Sequence, residues 1–169
     1  MKVCGVDPGS SGGIAVLTDD KIAVYPLSST ESDVCRTLAT AVKDADLVVL
    51  EKVGGFVGGG AVCSVCKQAK NLSPGSSMFN FGRGVGVIVG CLLAIGARFE
   101  EVTPQHWQSV LSLHRKKGMS QDDWKRELKV TAQKMYPEVK VTLSVADAIL
   151  IPRYAMLCKQ GFVEAVPME

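Results

Sequence analysis

The chain opens on short apolar runs separated by turn residues. Residues 2–7 "KVCGVD", 13–18 "GIAVLT" and 21–26 "KIAVYP" are each dominated by strand-forming side chains. A glycine-rich stretch at 9–13 and the pair Asp19-Asp20 lie between them, so the pattern predicts three short strands joined by tight turns. From Thr30 to Lys43 the period lengthens. Val34, Leu38, Ala41 and Val42 recur at i, i+4, i+7 and i+8, which is one face of a helix, and Thr30 with Asp33 fits a capping box at its start. "DLVVLE" (46–51) is then a continuous apolar run ending in a carboxylate, the pattern of a central strand covered on both faces.

Residues 52–77 break this rhythm. Five of the eight residues from Val53 to Gly60 are glycine, and a stretch this long without periodicity is either a functional loop or a floppy insertion. Its lysines Lys52, Lys67 and Lys70 and the aromatic Phe56 make it a candidate substrate-facing arm. "FNFGRGVGVIVGCLLAIGA" (79–97) reads as a buried helix whose glycines permit close packing against a neighbour. "RFEEVT" (98–103) is the next strand, and Thr103-Pro104 opens a short helix with Thr103 as N-cap. The basic tract "HRKKG" (114–118) leads into a helix capped by Ser120 and Asp123, with Trp124, Leu128, Thr131, Ala132 and Met135 on one face. A last helix begins near Ser144 and carries Asp147, with Pro152 expected to kink it and Gly161 to end it. Strands and helices in this order predict an α/β fold, a mixed sheet flanked by helices on both faces. There is no internal repeat and no linker, so residues 1–169 read as one domain.

Composition narrows the function classes. Hydrophobic residues make up 47% and charged residues 21%, an ordinary globular balance. The net charge of +2 is too small to point to nucleic acid by itself, so any basic surface must be local. No stretch reaches the roughly 18 apolar residues of a membrane span. The run from Val85 to Ala97 is shorter and is interrupted by Gly86, Gly90 and Gly96. The N-terminus passes straight into a strand pattern with no signal or transit peptide, which predicts a cytoplasmic setting, in a host cell if the source is a phage. Of six cysteines, Cys4, Cys35, Cys91 and Cys158 lie in apolar periodic segments and read as small buried hydrophobes. Cys63 and Cys66 form a lone C-x-x-C without the second ligand pair of a structural zinc site, and read as reduced bystander thiols ahead of metal or redox use.

Three carboxylates stand in otherwise apolar elements: Asp7 ends the first strand, Glu51 ends the fourth, and Asp147 sits in the first turn of the final helix. Buried carboxylates are normally paired, protonated or bound to metal. If the first and fourth strands are neighbours, the ends carrying Asp7 and Glu51 lie side by side, and a helix docked on that edge supplies Asp147. Such a cluster is a hard oxygen site suited to Mg²⁺ or Mn²⁺, and two such ions are a standard arrangement for phosphodiester cleavage. Each residue also has a plainer reading. Asp7 can cap the "DPGSSGG" turn, Glu51 can face solvent at a strand end, and Asp147 can complete a capping box with Ser144.

Together, "GVDPGSSGGIAVL", "VVLEKV", "FNFGRGVGVIVGCLLAIG", "VTPQHW" and "ADAILI" resemble, in order and across about residues 2–155, the RuvC family of Holliday-junction resolvases, in particular its shorter phage-type and organellar branch. The resemblance implies an RNase H-like fold with a mixed five-stranded sheet whose first three strands are antiparallel. It implies a homodimer that binds four-way DNA junctions, two divalent ions per active site, and symmetric nicks leaving 5′-phosphate and 3′-hydroxyl ends. Carried onto this chain, Asp7, Glu51 and Asp147 are the catalytic metal ligands. The segment after Glu51 reaches into the junction, with Phe56 stacking on an unpaired base and Lys52, Lys67 and Lys70 beside it. Arg83, Arg115, Lys116 and Lys117 contact backbone phosphates, the plainer reading of 115–117 being a solvated basic face.

One position departs from the family pattern. A fourth metal-ligating side chain, often a second acid three to five residues before the last, is replaced here by Thr142, Leu143 and Ser144. Ser144 and Glu138 are the candidates for that fourth place, and the departure implies a slow enzyme, a preference for Mn²⁺, or a protein that binds junctions without cutting them. A broader nuclease acting on flaps or forks shares the same motifs. An actin-like phosphotransferase shares only the opening strand and turn, and needs a second lobe that 169 residues do not supply.

Overall fold

The computed structural model describes residues 1–9, 11–19, 21–54 and 75–159. Five strands, β1 (Lys2–Asp7), β2 (Gly13–Thr18), β3 (Lys21–Pro26), β4 (Leu47–Glu51) and β5 (Phe99–Val102), form one sheet in the order β3-β2-β1-β4-β5. The first three run antiparallel, with Asp7 opposite Gly13 and Gly13 opposite Pro26, whereas β1, β4 and β5 are mutually parallel. This is the mixed sheet expected from the strand pattern. Among the described residues, five helices surround it: α1 (Glu31–Val42), α2 (Gly75–Ala94), α3 (Pro104–Val110), α4 (Gln121–Met135) and α5 (Ala146–Lys159).

Strand alternation splits the apolar residues between two faces. Cys4, Val6, Ile14, Val16, Val48 and Leu50 point toward α1 and α2, where Leu38, Ala41, Ile88 and Leu92 complete one core. Val3, Ala15, Leu17, Leu47 and Val49 point the other way, onto Trp107 of α3, Trp124, Leu128 and Ala132 of α4, and the buried length of α5. By the same alternation Asp7 and Glu51 project toward this second face. Gly5 lets α5 approach: a Cβ there would lie 2.3 Å from Cδ of Pro152 and 2.7 Å from the carbonyl of Ala148.

The helix starts follow local chemistry. Thr30 Oγ1 accepts from the Asp33 amide at 3.2 Å and Ser120 Oγ from the Asp123 amide at 3.1 Å, satisfying amides that the first helical turn leaves without partners. Thr103 with Pro104 opens α3 as expected.

The last helix starts at Ala146, within two residues of the expected Ser144, whose hydroxyl lies 2.7 Å from that of Thr142 in the turn that delivers α5. Pro152 sits within α5, which runs on to Lys159, while Gly161 lies outside the described residues. The long apolar helix α2 is not buried all round: Ile88 and Leu92 are buried, but Phe79 is 69% and Leu93 65% exposed.

The expectation that Cys35 and Cys91 are separate small hydrophobes is also overturned. Cys35 and Cys91 are joined in a disulfide that ties α1 to α2, their Cα atoms 5.9 Å apart. Each cysteine read separately is a small hydrophobe; pairing needs two helices, 56 residues apart in sequence, to lie side by side. Cys4 is a buried free thiol, and Cys63 and Cys66 lie outside the described residues.

Candidate metal centre

The parallel register of β1 and β4 pairs Val6 with Leu50, so the next residue of each strand, Asp7 and Glu51, emerges at the same sheet edge. β1 ends there as the chain bends at Gly9, and β4 ends at Glu51. Helix α5 crosses this edge with Asp147 in its first turn. One carboxylate oxygen from each of Asp7, Glu51 and Asp147 lies within 4.8 Å of the other two.

Two donors fix the carboxylates. The Gly9 amide donates to Asp7 Oδ1 at 2.9 Å, and the indole Nε1–H of the buried Trp107 donates to Glu51 Oε1 at 2.9 Å. Gly12 belongs to the same turn, where a Cβ would lie 2.1 Å from the Asp7 carbonyl oxygen. The turn is therefore closed too tightly for any other residue.

The electrostatics record an unmet demand for positive charge. Burial pushes the Asp7 carboxyl above its ordinary range, partly offset by the Gly9 hydrogen bond and by Lys125. Burial, then repulsion from Asp7 and more weakly from Asp147, raises Glu51 to about 8 despite the Trp107 bond. Burial and Asp7 raise Asp147 to about 6, against the pull of Lys125. Desolvation and like-charge crowding both oppose ionisation. A divalent cation removes both penalties, and an all-oxygen set of three carboxylates beside water is the donor chemistry that Mg²⁺ or Mn²⁺ takes. The residues present fit such an ion.

The carboxylates open into a cleft of about 310 Å³ bordered by Ser11, Phe81, Gln108, Gln121, Trp124 and Lys125. Lys125 and Trp107 are the site residues that sequence reading missed. Lys125 follows the core residue Trp124 on an amphipathic helix and reads as solvent-facing; its one signal is that Gln121, Lys125 and Leu128 share an edge of α4.

The other candidates are scattered. Lys52 is exposed directly after Glu51. Arg83 forms an ion pair with Glu31 at 2.6 Å over a larger groove of about 590 Å³ between α1 and α2, which borders the acidic cleft through Gly9 and Phe81. Arg115 is folded back: its Nε donates to the Met119 carbonyl at 2.9 Å and its Nη1 to the Gln121 side chain at 2.8 Å. Lys116 and Lys117 are exposed beside it. Neither Ser144 nor Glu138 borders the cleft, and Glu138 is exposed in the turn after α4. Phe56, Lys67 and Lys70 lie outside the described residues. Among the described residues, Asp7, Glu51 and Asp147 are the one group of three or more His, Cys, Asp or Glu side chains that meets this closely.

No protein-family model and no curated protein matches the sequence. Solved structures do match in shape. Thermus thermophilus RuvC in complex with a Holliday junction substrate superposes with a TM-score of 0.57 at 16% identity, over 95% of this chain and 96% of that one. Thermus thermophilus RuvC in a further structure gives 0.56 at 16% identity, over 95% and 97%. At that identity the likeness concerns architecture, and with the strand order β3-β2-β1-β4-β5 it establishes that this chain has a RuvC-like, RNase H-like fold.

Proposed function

We propose that this chain is a divalent-metal-dependent endodeoxyribonuclease that resolves four-way DNA junctions, working as a homodimer that makes paired symmetric nicks with 5′-phosphate and 3′-hydroxyl ends. The observation that carries the reading is the meeting of Asp7, Glu51 and Asp147 within 4.8 Å at a sheet edge of a RuvC-like fold. The junction-bound neighbour supports branched DNA as the partner, and the ordered motifs resemble the shorter phage-type and organellar branch.

Asp7, Glu51 and Asp147 are the ligands for two Mg²⁺ or Mn²⁺ ions. When bound, such ions supply a water of lowered pKa and charge stabilisation at the phosphodiester oxygens. The rest falls to the chain's own groups. Gly9 and Trp107 hold two of the carboxylates in place before substrate arrives, and Lys125 brings positive charge against the scissile phosphate. Lys52, Arg83, Arg115, Lys116 and Lys117 are the candidate backbone contacts, and Arg83 and Arg115 must exchange their present partners to serve. Phe56, Lys67 and Lys70 belong to a junction-facing arm at 53–77, with Phe56 as a stacking residue.

The homodimer is supported by α2. Phe79, Gly82, Gly86, Gly90 and Leu93 fall on one stripe, and a Cβ added at any of these three glycines meets nothing within 4 Å. An apolar helix with an open glycine face suits close approach of the same helix from a second copy. The whole chain acts as one nuclease domain, in the cytoplasm. No described helix is long and apolar enough to cross a membrane.

A second reading, a junction-binding protein with weak catalysis, is favoured by one observation: three carboxylates meet, and neither Ser144 nor Glu138 joins them. One experiment separates the readings. Purified protein is incubated with a labelled synthetic four-way junction, with and without Mg²⁺ or Mn²⁺. Paired nicks at symmetric positions are expected, and Asp7→Asn should abolish them while junction binding persists. Tight binding without nicks in either metal would leave only the second reading. Equal cutting of flaps and forks would replace resolution with a broader branched-DNA nuclease.

A further inference from the structure

The larger groove between α1 and α2 adjoins the acidic cleft. It holds about 590 Å³, inside the roughly 300–1,000 Å³ of sites that enclose organic ligands. Leu27, Val34, Val87 and Ile88, buried or half-buried, give it an apolar floor, and the exposed Ser28, Ser29 and Asn80 give it a polar rim. Gly9 and Phe81 line both spaces, and the Gly9 amide donates to Asp7 Oδ1 at 2.9 Å. The groove therefore starts one hydrogen bond from the carboxylates.

Arg83 and Glu31 meet on its wall as a fork: Nε lies 2.6 Å from Oε1, and Nη2 donates to Oε2 at 3.1 Å. Both side chains are about half exposed, where an ion pair adds little stability and exchanges readily. A guanidinium fork that takes a carboxylate takes a phosphate in the same way. Among the described residues, Arg83 is the one cation lining the groove. Gly84 lies on the same wall, one helical turn from Asn80 and from Ile88. Glycine is a poor residue for a helix interior, yet a Cβ at Gly84 would meet nothing within 4 Å. No described neighbour requires the gap.

An occupant must suit an apolar floor, a single guanidinium and continuity with the carboxylates. A nucleotide meets all three. Its base has a flat face for stacking on the half-buried Phe81, and its phosphate carries the charge that Arg83 takes. We propose that the cut DNA strand continues from the acidic cleft over Phe81 into this groove, where Arg83 exchanges Glu31 for the backbone phosphate next to the scissile one. Glu31 is then an internal stand-in for that phosphate, and Gly84 leaves room for the base. The groove rests on the nuclease reading and adds to it the path of the strand.

The test reads binding, not cleavage. Fluorescence anisotropy of a labelled four-way junction in Mg²⁺ is followed with Asp7→Asn protein, which should bind without cutting, and every further change is made on that background. Gly84→Leu should fill the groove and weaken binding about tenfold. Its Tm should be equal or higher, and its oligomeric state in sedimentation equilibrium unchanged. Glu31→Gln should tighten binding about threefold by freeing Arg83, and should do nothing once Arg83→Gln is present. That comparison separates exchange at Arg83 from a general loss of negative charge. Unaltered affinity in Gly84→Leu, or a Glu31→Gln gain that survives Arg83→Gln, would overturn the groove and leave the nuclease reading in place. If Asp7→Asn protein binds no junction at all, that reading fails and the groove with it.

Discussion

Glu51 concentrates the physics of the site in one side chain. It ends a buried strand, accepts from Trp107 and faces two other carboxylates, so without metal its neutral form is favoured, up to about pH 8. The sign of the linkage follows. A carboxyl whose folded pKa exceeds its unfolded value contributes stability below the unfolded value and loses it as pH rises through the folded one. The coupled cluster should therefore cost the metal-free protein stability between about pH 4 and 8, spanning the raised values of Asp147 and Glu51. A drop of roughly 1–3 kcal/mol, or about 3–10 °C in Tm, is the expected scale once solvent screening is allowed for. Thermal melts in EDTA from pH 5 to 8 measure it. Glu51→Gln should flatten the fall, and Mg²⁺ or Mn²⁺ should reverse it by binding the folded state alone. Asp7, Glu51 and Asp147 were legible in sequence because a carboxylate at the end of an apolar element is conspicuous. Lys125 was not, because on an amphipathic helix it reads as an ordinary solvated charge.

Strands and helix starts were the most legible elements, since alternation, capping residues and turn glycines act over a few neighbours. Helix α2 was misjudged for the opposite reason. Its residues are apolar nearly all round, and periodicity cannot say which side has a neighbour; packing against α1 covers Ile88 and Leu92 and leaves Phe79 and Leu93 open. The Cys35–Cys91 bond between these two helices makes a further prediction. Closing a loop across 56 residues restricts the unfolded chain, and the chain-entropy account assigns such a loop about 4 kcal/mol. A reductant should therefore lower Tm by several degrees, and a Cys35→Ala, Cys91→Ala double variant should melt at that lower temperature and no longer respond to the reductant.

For the molecule as a whole, the proposed reaction requires two active sites set a fixed distance apart, so assembly matters as much as the carboxylates. Phe79→Glu with Leu93→Glu places charges on the open stripe of α2 without touching the core. In sedimentation equilibrium the double variant should be monomeric where the parent is a dimer, with Tm little changed and junction nicks no longer paired. A parent protein that is already monomeric would remove α2 from the account.

The sequence alone determined the strands, the capped helices and the isolation of three carboxylates in apolar surroundings, because these depend on residue type and spacing over short distances. Tertiary structure decided the rest: that β1 and β4 are parallel neighbours in register, that α5 delivers Asp147 to their edge, that Trp107 holds Glu51, and that Cys35 meets Cys91. Each of these joins residues tens of positions apart. Their meeting follows from how whole faces pack, which no local pattern encodes.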